Sequence, residues 1–352
     1  MSNDDEEITK NRNRKGIQSR YTFSIEKVMN HLNSNIFGQE RALKAIEDML
    51  KIVKAGLSFP DKPLYVALFL GPTGVGKTEV VRTLAEGIHG NRNYFCRVDM
   101  NTLAQDHYAA SLAGAPPGYV GSKEGSTILD KLKVEGTFSK PGLILFDEVE
   151  KASGQVIQTL LNVFDSGSMT LATGDESIDF TNTIIIMTSN LGARQIQKTR
   201  ENWFQYLLAR CRHSLSPAKS SNDNEDSLLD KIVRKKVIEE FQPEFINRID
   251  NIITFNWLEM ESLLKIIDRH LDQINKRLEV FNCQIHIDDS AKKFLIDEGY
   301  DIRYGARALI RTIRKHIEVP LAAAMLEENY QDELPITYVG TRVGDRIMIK
   351  RG

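Results

Sequence analysis

Short runs of consecutive apolar residues mark several places along the chain. The clearest are YVALFL (65–70), GLILF (142–146) and TIIIM (183–187), and RVDM (97–100) is a weaker fourth. Runs of this length are typical of strands buried on both faces of a parallel sheet. Between them, apolar residues recur at helical spacing, roughly over 77–89, over 126–135 and in QVIQTLLNVFDSG. Strands that alternate with helices predict an α/β fold, with a parallel sheet flanked by helices on both sides.

Helical spacing also dominates the two ends of the chain. Over residues 24–57 it forms two blocks joined by IFG. Beyond Phe255 it predicts a long amphipathic helix, a strand in CQIHI, helices from Asp289 and from Gly305 to about Asn329, and two strands near ITYVG and RIMIK. The N-terminal residues hold hardly any apolar side chain and should not pack. We expect three parts: an unpacked tail over 1–22, a large α/β domain over 23–252 and a smaller, mainly helical α+β domain over 253–352.

Composition limits the class of protein. The 352 residues are 41% apolar and 27% charged, as in soluble globular proteins. The formal net charge of −2 gives no electrostatic basis for wrapping nucleic acid, because nucleic-acid-binding proteins usually carry a basic excess. No run is apolar enough for a membrane span or a secretory signal, and three widely separated cysteines form no metal-ligand spacing. We expect a cytoplasmic protein that binds neither membrane nor nucleic acid.

The segment after the first apolar run matches the pattern GxxxxGK[ST] at every fixed position. It consists of Gly71, Pro72, Thr73, Gly74, Val75, Gly76, Lys77 and Thr78. The strand before it and the helix after it argue against a chance glycine-rich turn. Its main-chain N–H groups and the helix N-terminus suit a phosphate group. Lys77 would reach the β- and γ-phosphates of ATP, and the Thr78 hydroxyl would ligate Mg²⁺.

Polar side chains follow the two later apolar runs. Asp147 and Glu148 come directly after GLILF, at the carboxyl edge where α/β sheets bind ligands. Asp147 is placed to hold Mg²⁺, and Glu148 to polarise the water that attacks the γ-phosphate. Asn190 ends TIIIMTSN and could orient that water, or it could equally cap the next helix. Together with the phosphate loop, these residues predict an ATPase.

Seven segments, in this order, carry a family resemblance: IFGQERAL, GPTGVGKTEV, GAPPGYVGSKEG, LILFDEVEKA, TIIIMTSNLGA, FQPEFINRID and GYDIRYGARALIRTI. Together they resemble an AAA+ ATPase, and more narrowly the second ATPase module of the ClpB-type Clp/heat-shock-100 unfoldases. The resemblance runs from about Ile36 to Ala324, which is most of the chain. It implies a P-loop NTPase fold followed by a lid domain, and ATP hydrolysis with Mg²⁺ in a homo-oligomer, a hexameric ring.

The resemblance also implies roles for residues outside the phosphate loop. Arg248 in FINRID would be the arginine finger that reaches the γ-phosphate of a neighbouring subunit, so that hydrolysis would require a ring. Arg307 in YGARAL would be a second sensor that closes over the nucleotide. Ile36 and Phe37 resemble the apolar pair that sandwiches adenine. By sequence alone, either arginine could be a surface charge, and the apolar pair could be core at a helix junction.

The segment GAPPGYVG lies between the phosphate loop and the carboxylate strand. Its prolines and glycines exclude a helix or a central strand, so it must be a loop. It resembles the family's pore loop, which implies that Tyr119 and Val120 point into the channel of a hexamer and grip an extended polypeptide. An aromatic ring on a loop can contact almost any peptide through apolar area. The alternative is a surface turn with Tyr119 packed inward.

Three functions are compatible with these motifs. We favour an ATP-driven protein unfoldase or translocase whose protein substrates are selected by an adaptor or by the N-terminal tail. The alternatives are a nucleic-acid motor, against which the near-neutral charge and the aromatic loop argue, and a nucleotide-controlled assembly scaffold. The chain has no Leu/Ile-Gly-Phe/Leu tripeptide of the kind that docks a proteolytic chamber. We therefore expect a stand-alone single-ring motor, unless the sequence is a piece of a longer chain.

Overall fold

The computed structural model describes residues 19–105, 112, 127–171, 176–191, 236–301, 304–327 and 336–352. Among the helices in these ranges, not one combines the length and the apolar character that crossing a membrane requires. The described residues of the N-terminal part form seven strands, with the bounds β1 (Tyr65–Leu70), β2 (Cys96–Asp99), β3 (Gly142–Asp147), β4 (Ser168–Thr170), β5 (Ser177–Asp179), β6 (Thr183–Ser189) and β7 (Asn251–Thr254).

A five-stranded parallel sheet organises this part of the chain, in the order β2-β3-β6-β1-β7. Strands β1, β3 and β6 are buried at every position, as their continuous apolar runs predict. Side chains of β1 alternate between two cores, with Leu68 in one and Phe69 in the other. The predicted α/β sheet with helices on both faces is therefore confirmed.

Within the described ranges, six helices flank this sheet or precede it: α1 (Ile25–Asn33), α2 (Glu40–Ala55), α3 (Lys77–His89), α4 (Lys131–Glu135), α5 (Gly154–Ser166) and α6 (Pro243–Ile246). Helix α3 has the bounds that the sequence predicts. Helix α4 is shorter than the predicted 126–135, because the Asp130 side chain accepts a hydrogen bond from the Lys133 N–H and caps the helix there.

The remaining part of the chain forms a smaller unit with its own apolar core. Its helices are α7 (Met260–Leu278), α8 (Asp289–Gly299), α9 (Ala306–Ile313) and α10 (Val319–Glu327), and its strands are β8 (Cys283–Ile287), β9 (Ile336–Val343) and β10 (Arg346–Arg351). Strand β9 pairs parallel to β8 and antiparallel to β10. The helix predicted from Gly305 onward is divided by a π-helical turn at Arg314–Glu318. We refer to this unit as the small domain.

Two features differ from the sequence-based expectations. Strand β7 was not predicted, because NIIT is short and only one of its residues is fully buried. It extends the large sheet to Thr254, so the expected boundary at residue 252 falls inside a strand. Tyr21 belongs to the expected unpacked tail, yet it is buried and its hydroxyl donates to Asn182 Oδ1 at 2.9 Å. The expectation of an unpacked tail is thus wrong for Tyr21.

Polar contacts join the small domain to the sheet domain. The buried Gln39 side chain fixes the segment that leads from β7 to the small domain, because it accepts a hydrogen bond from the Asn256 N–H and donates to the Asn256 carbonyl, both at 2.9 Å. The Ala306 N–H donates to the Gly74 carbonyl at 3.0 Å. A Cβ on Gly305 would lie 2.7 Å from the carbonyl oxygens of Gly74 and Thr73, so only glycine fits this contact. The small domain therefore lies directly against the phosphate loop.

Candidate active site

The phosphate loop is a tight turn between β1 and α3. Its backbone has φ of 77° at Gly74 and 110° at Gly76, values that residues with a side chain rarely adopt. Helix α3 begins at Lys77, immediately after the turn. Loop N–H groups and a helix N-terminus together favour an anion, so the local geometry suits the phosphates of a nucleotide.

Lys77 is buried within this turn. Its ammonium group donates to the carbonyls of Gly71 and Pro72, the latter at 3.0 Å, and to Asn190 Oδ1 at 2.9 Å. Burial lowers the pKa of Lys77 to about 8, although nearby carboxylates, Glu150 first, oppose this shift. The amine is therefore held in place by carbonyl and amide oxygens, which the more strongly accepting oxygens of a phosphate can replace.

Both carboxylate oxygens of Asp147 are hydrogen-bonded. Thr188 Oγ1 donates to Asp147 Oδ1 at 2.5 Å, and an Arg97 guanidinium nitrogen lies 2.6 Å from Asp147 Oδ2. Strands β2 and β3 pair Asp99 with Asp147, which brings the side chains at their carboxyl ends together. The Asp147 carboxylate is thus held in place by a hydroxyl and by a guanidinium group.

Glu148 lies in the left-handed region of the backbone map, with φ of 59°. The Asn190 side-chain amide donates to Glu148 Oε1 at 3.1 Å, and the Asn101 amide donates to Oε2 at 2.6 Å. A residue other than glycine keeps this left-handed conformation only where surrounding contacts hold it there, and such residues are frequent at functional sites. Thr188 also accepts a hydrogen bond from the Glu148 N–H at 3.1 Å. The candidate base is therefore oriented by groups at the carboxyl ends of the two neighbouring strands, β2 and β6.

These groups face a cavity of about 610 Å³ between the sheet domain and the small domain. This volume falls within the usual range for small-molecule and cofactor sites. Residues predicted for the nucleotide that line it are Ile36, Phe37, Thr73, Gly74, Val75, Gly76, Lys77, Thr78, Asp147, Glu148, Asn190 and Arg307. Gly71 and Pro72 do not line the cavity, but their carbonyls hold Lys77.

Arg248 stands apart from the cavity. Its Nε lies 2.7 Å from Asp165 Oδ1, and both side chains are more than 40% exposed. By contrast, Arg307 lines the cavity from the small domain and forms no ion pair within the described ranges. Tyr119 and Val120 of the predicted pore loop lie outside the described residues.

Several side chains of the site escape prediction from the sequence. Arg97 and Asn101 contact the two carboxylates from β2 and the turn that follows it, and Arg269 reaches the cavity from the small domain. Glu150 accepts a hydrogen bond from the Asn190 N–H at 3.1 Å. The weakly predicted strand RVDM ends beside β3, the strand that ends at Asp147. Because parallel strands share a carboxyl edge, this position could have indicated from the sequence that Arg97 and Asn101 belong to the site.

The donor chemistry present suits a magnesium–nucleotide complex. Thr78 and Asp147 line the same cavity as the phosphate loop and offer hydroxyl and carboxylate oxygens. Magnesium prefers oxygen ligands, and in nucleotide sites it usually takes one or two from the protein and the others from phosphate and water. Accordingly, the described residues include no cluster of three or more His, Cys, Asp or Glu side chains that could hold a metal by themselves.

Comparison with known proteins extends this description. A family model described as an AAA domain of the Cdc48 subfamily matches residues 62–252, and one described as the C-terminal D2-small domain of ClpB protein matches residues 258–338. The ATP-dependent protease ATP-binding subunit-like protein AmiB of Pseudomonas aeruginosa is 43% identical over 339 residues, which cover 96% of this chain and 90% of that protein.

Two longer relatives match over part of their length. The chaperone protein ClpB of Aquifex aeolicus is 39% identical over 92% of this chain and 30% of its own length. The ATP-dependent Clp protease ATP-binding subunit ClpC of Staphylococcus aureus is 39% identical over 87% of this chain and 35% of its own length. The chain therefore belongs to the Clp/heat-shock-100 family of AAA+ ATPases, where it is an ATP-binding hydrolase that resembles a second ATPase module.

Proposed function

We propose that this ATPase is a protein unfoldase that works as a homo-oligomeric ring, a hexamer, and draws extended polypeptide through its central channel. The observation that carries the proposal is the position of Arg248. Every other residue of the predicted hydrolytic set lines one cavity, whereas Arg248 lies outside it and is exposed. We infer that the guanidinium that completes the site comes from another subunit in a head-to-tail arrangement, which forms a ring where its rotation closes.

The catalytic roles follow from the contacts within one chain. Thr78 and Asp147 would hold Mg²⁺, which when bound neutralises charge on the phosphate oxygens. Glu148 would accept the proton of the attacking water, and Asn190 would orient that water because its amide already contacts Glu148. Lys77 would exchange its contact with Asn190 for the β- and γ-phosphates.

Arg307 and the apolar pair would hold the two ends of the nucleotide. Ile36 is buried and borders the cavity beside Phe37, where an adenine ring would gain apolar contact. Arg307 lies in the first turn of α9, near the phosphate loop, and would contact phosphate from the small domain. We propose that the division between the two domains lies just after β7, close to the expected residue 252. Closing of the small domain over this cavity would link nucleotide state to domain position.

Tyr119 and Val120 would transmit the mechanical step. An aromatic side chain contacts apolar and backbone groups of many peptides without demanding a sequence, which suits a motor that acts on varied proteins. The relatives are named as a chaperone and as ATP-binding subunits of ATP-dependent proteases, and protein is accordingly the substrate class that we propose for this chain. An adaptor or the N-terminal tail would select individual substrates.

The decisive experiment measures loss of fluorescence from a folded, tagged reporter protein in the presence of ATP. Tyr119→Ala should stop unfolding while ATP hydrolysis continues, and the matched control Tyr119→Phe should retain unfolding because it keeps the ring. Electron microscopy of the same samples reports ring formation. Unfolding that is unchanged in Tyr119→Ala would reject the pore-loop role. Hydrolysis that is stimulated by DNA and lost at high salt would favour a nucleic-acid motor. Rings that form without unfolding the reporter would favour an assembly scaffold.

A further inference from the structure

We propose that Arg269 is a positioning residue that latches the small domain against the nucleotide-binding edge of the sheet domain and so controls how long a nucleotide stays bound. The proposal concerns nucleotide retention by an ATPase and does not depend on polypeptide threading.

Arg269 bridges two segments that border the cavity. It lies on α7 of the small domain, and its guanidinium donates to the main-chain carbonyl of Asn35 at 2.8 Å. The same nitrogen lies 3.6 Å from Glu79 Oε1. Asn35 immediately precedes the Ile36–Phe37 pair, and Glu79 immediately follows Thr78. One side chain from the small domain therefore contacts both the apolar segment and the helix that carries the phosphate loop.

The surroundings of Arg269 make this contact different from a surface ion pair. Its side chain is only 20% exposed, and burial lowers the pKa of Arg269, an effect that Glu79 opposes and Arg92 reinforces. Arg92 shares the same acceptor, because one of its nitrogens lies 2.7 Å from Glu79 Oε1. A partly desolvated guanidinium depends on its acceptors, so Arg269 favours the arrangement in which Asn35 and Glu79 are within reach.

The small domain also contacts the phosphate loop, but through different chemistry. There the Ala306 N–H donates to the Gly74 carbonyl, and Gly305 packs on the same loop. Those contacts involve the main chain and small residues, and any bulky substitution disturbs the loop itself. Arg269 instead makes its contact through a side chain, and neither of its partners, Asn35 and Glu79, is a residue proposed for hydrolysis. Its contribution can therefore be removed without altering the phosphate loop.

A latch of this kind raises the closed fraction, which is the fraction of molecules in which the small domain is closed over the cavity. A nucleotide that needs both domains binds with an apparent Kd equal to the intrinsic Kd divided by the closed fraction. Loss of Arg269 lowers this fraction. The binding of ATP and the binding of ADP are then weakened by the same factor, and both nucleotides are released faster. Loss of a residue that contacts the γ-phosphate directly would weaken the binding of ATP more than that of ADP. The ratio of the two affinities thus separates a latch from a γ-phosphate contact.

The test compares Arg269→Met with the unaltered protein, with Arg269→Lys and with a control on the same helix. Lys265→Met is the matched control, because Lys265 forms an exposed pair with Glu261 at 2.6 Å and does not line the cavity. Stopped-flow displacement of a fluorescent ADP analogue gives the release rate, and calorimetry gives Kd for ATP and for ADP. In Arg269→Met we expect release to be faster by about tenfold, the usual effect of losing one hydrogen bond to a charged group.

The expected pattern has three further parts. In Arg269→Met, the affinities for ATP and for ADP fall by the same factor. In Arg269→Lys, the release rate and both Kd values lie between those of Arg269→Met and of the unaltered protein. Lys265→Met changes neither the release rate nor Kd. Unchanged release in a folded Arg269→Met, or a loss confined to ATP, overturns the latch. If thermal denaturation shows that Arg269→Met is unfolded, Arg269→Lys decides by the same readings. Reporter unfolding is not measured, so failure here leaves the proposed function standing.

Discussion

Replacement of Arg248 by alanine tests the claim that each ATP site is completed by a neighbouring subunit. In the structure this arginine contacts Asp165 across 2.7 Å, at a surface where both side chains are more than 40% exposed. It does not line the cavity of its own chain. The substitution should therefore affect hydrolysis while leaving the fold and the nucleotide-binding cavity of the same chain intact.

The magnitudes follow from this position. Exposed ion pairs contribute about 0.2–1 kcal/mol, so the free energy of unfolding should fall by no more than about 1 kcal/mol. Nucleotide Kd in the isolated chain should be unchanged, because no lining group is lost. An arginine finger stabilises charge in the transition state, and its removal should lower kcat by about 10³-fold or more. The expected signature is a large loss of turnover without a comparable loss of stability or affinity.

Mixing two inactive variants makes the test specific to a shared site. Glu148→Gln keeps Arg248 but lacks the base, and Arg248→Ala keeps the base but lacks the finger. In an equal random mixture, about a quarter of the head-to-tail interfaces combine an intact Glu148 with an intact neighbouring Arg248. Steady-state ATP hydrolysis should therefore recover to about a quarter of the unaltered rate, if interfaces act independently.

Two results would refute this reasoning. Full hydrolysis by Arg248→Ala would show that the arginine is dispensable. Failure of the mixture to recover any activity, although imaging shows mixed rings, would show that the two residues do not share a site. A drop in thermal stability far above that of an exposed pair would instead assign Arg248 a structural role through Asp165.

Three further outcomes follow from individual contacts. Glu148→Gln should still bind ATP in a filter-binding assay but should hydrolyse it at least about 10²-fold more slowly than the unaltered protein. Normal turnover of the variant would contradict the role of Glu148 as the base. Gly305→Ala should weaken ADP binding in calorimetry, because its Cβ would lie 2.7 Å from loop carbonyls; Gly344→Ala, with a similar φ and open space around it, should not. Burial, with Lys140 in support, lowers the pKa of His89 to about 4. The neutral ring contributes its full stability above pH 6.5, and this contribution is lost toward pH 4. In urea unfolding, the free energy of unfolding should therefore fall by about 1–2 kcal/mol less for His89→Phe than for the unaltered protein between pH 7.5 and pH 5. Equal decreases in the two proteins would exclude His89 as the group responsible.

Local patterns were sufficient for much of the fold. The runs at 65–70, 142–146 and 183–187 predict the three central strands, because a strand covered on both faces needs apolar residues at every position. The phosphate loop is equally readable, since its turn depends on the glycines themselves. Strand β7 was not predicted, because NIIT has neither the length nor the apolar continuity of a buried strand.

The chain by itself therefore determined the three central strands, the phosphate loop and the carboxylates that end a strand, because each of these depends on residues adjacent in sequence. Only the tertiary structure decided how Arg97 and Asn101 meet Asp147 and Glu148, and how Arg269 reaches Asn35. The partners in these contacts are separated by 47 to 234 positions. No local spacing records such pairs, because strand order and the packing of the small domain bring them together.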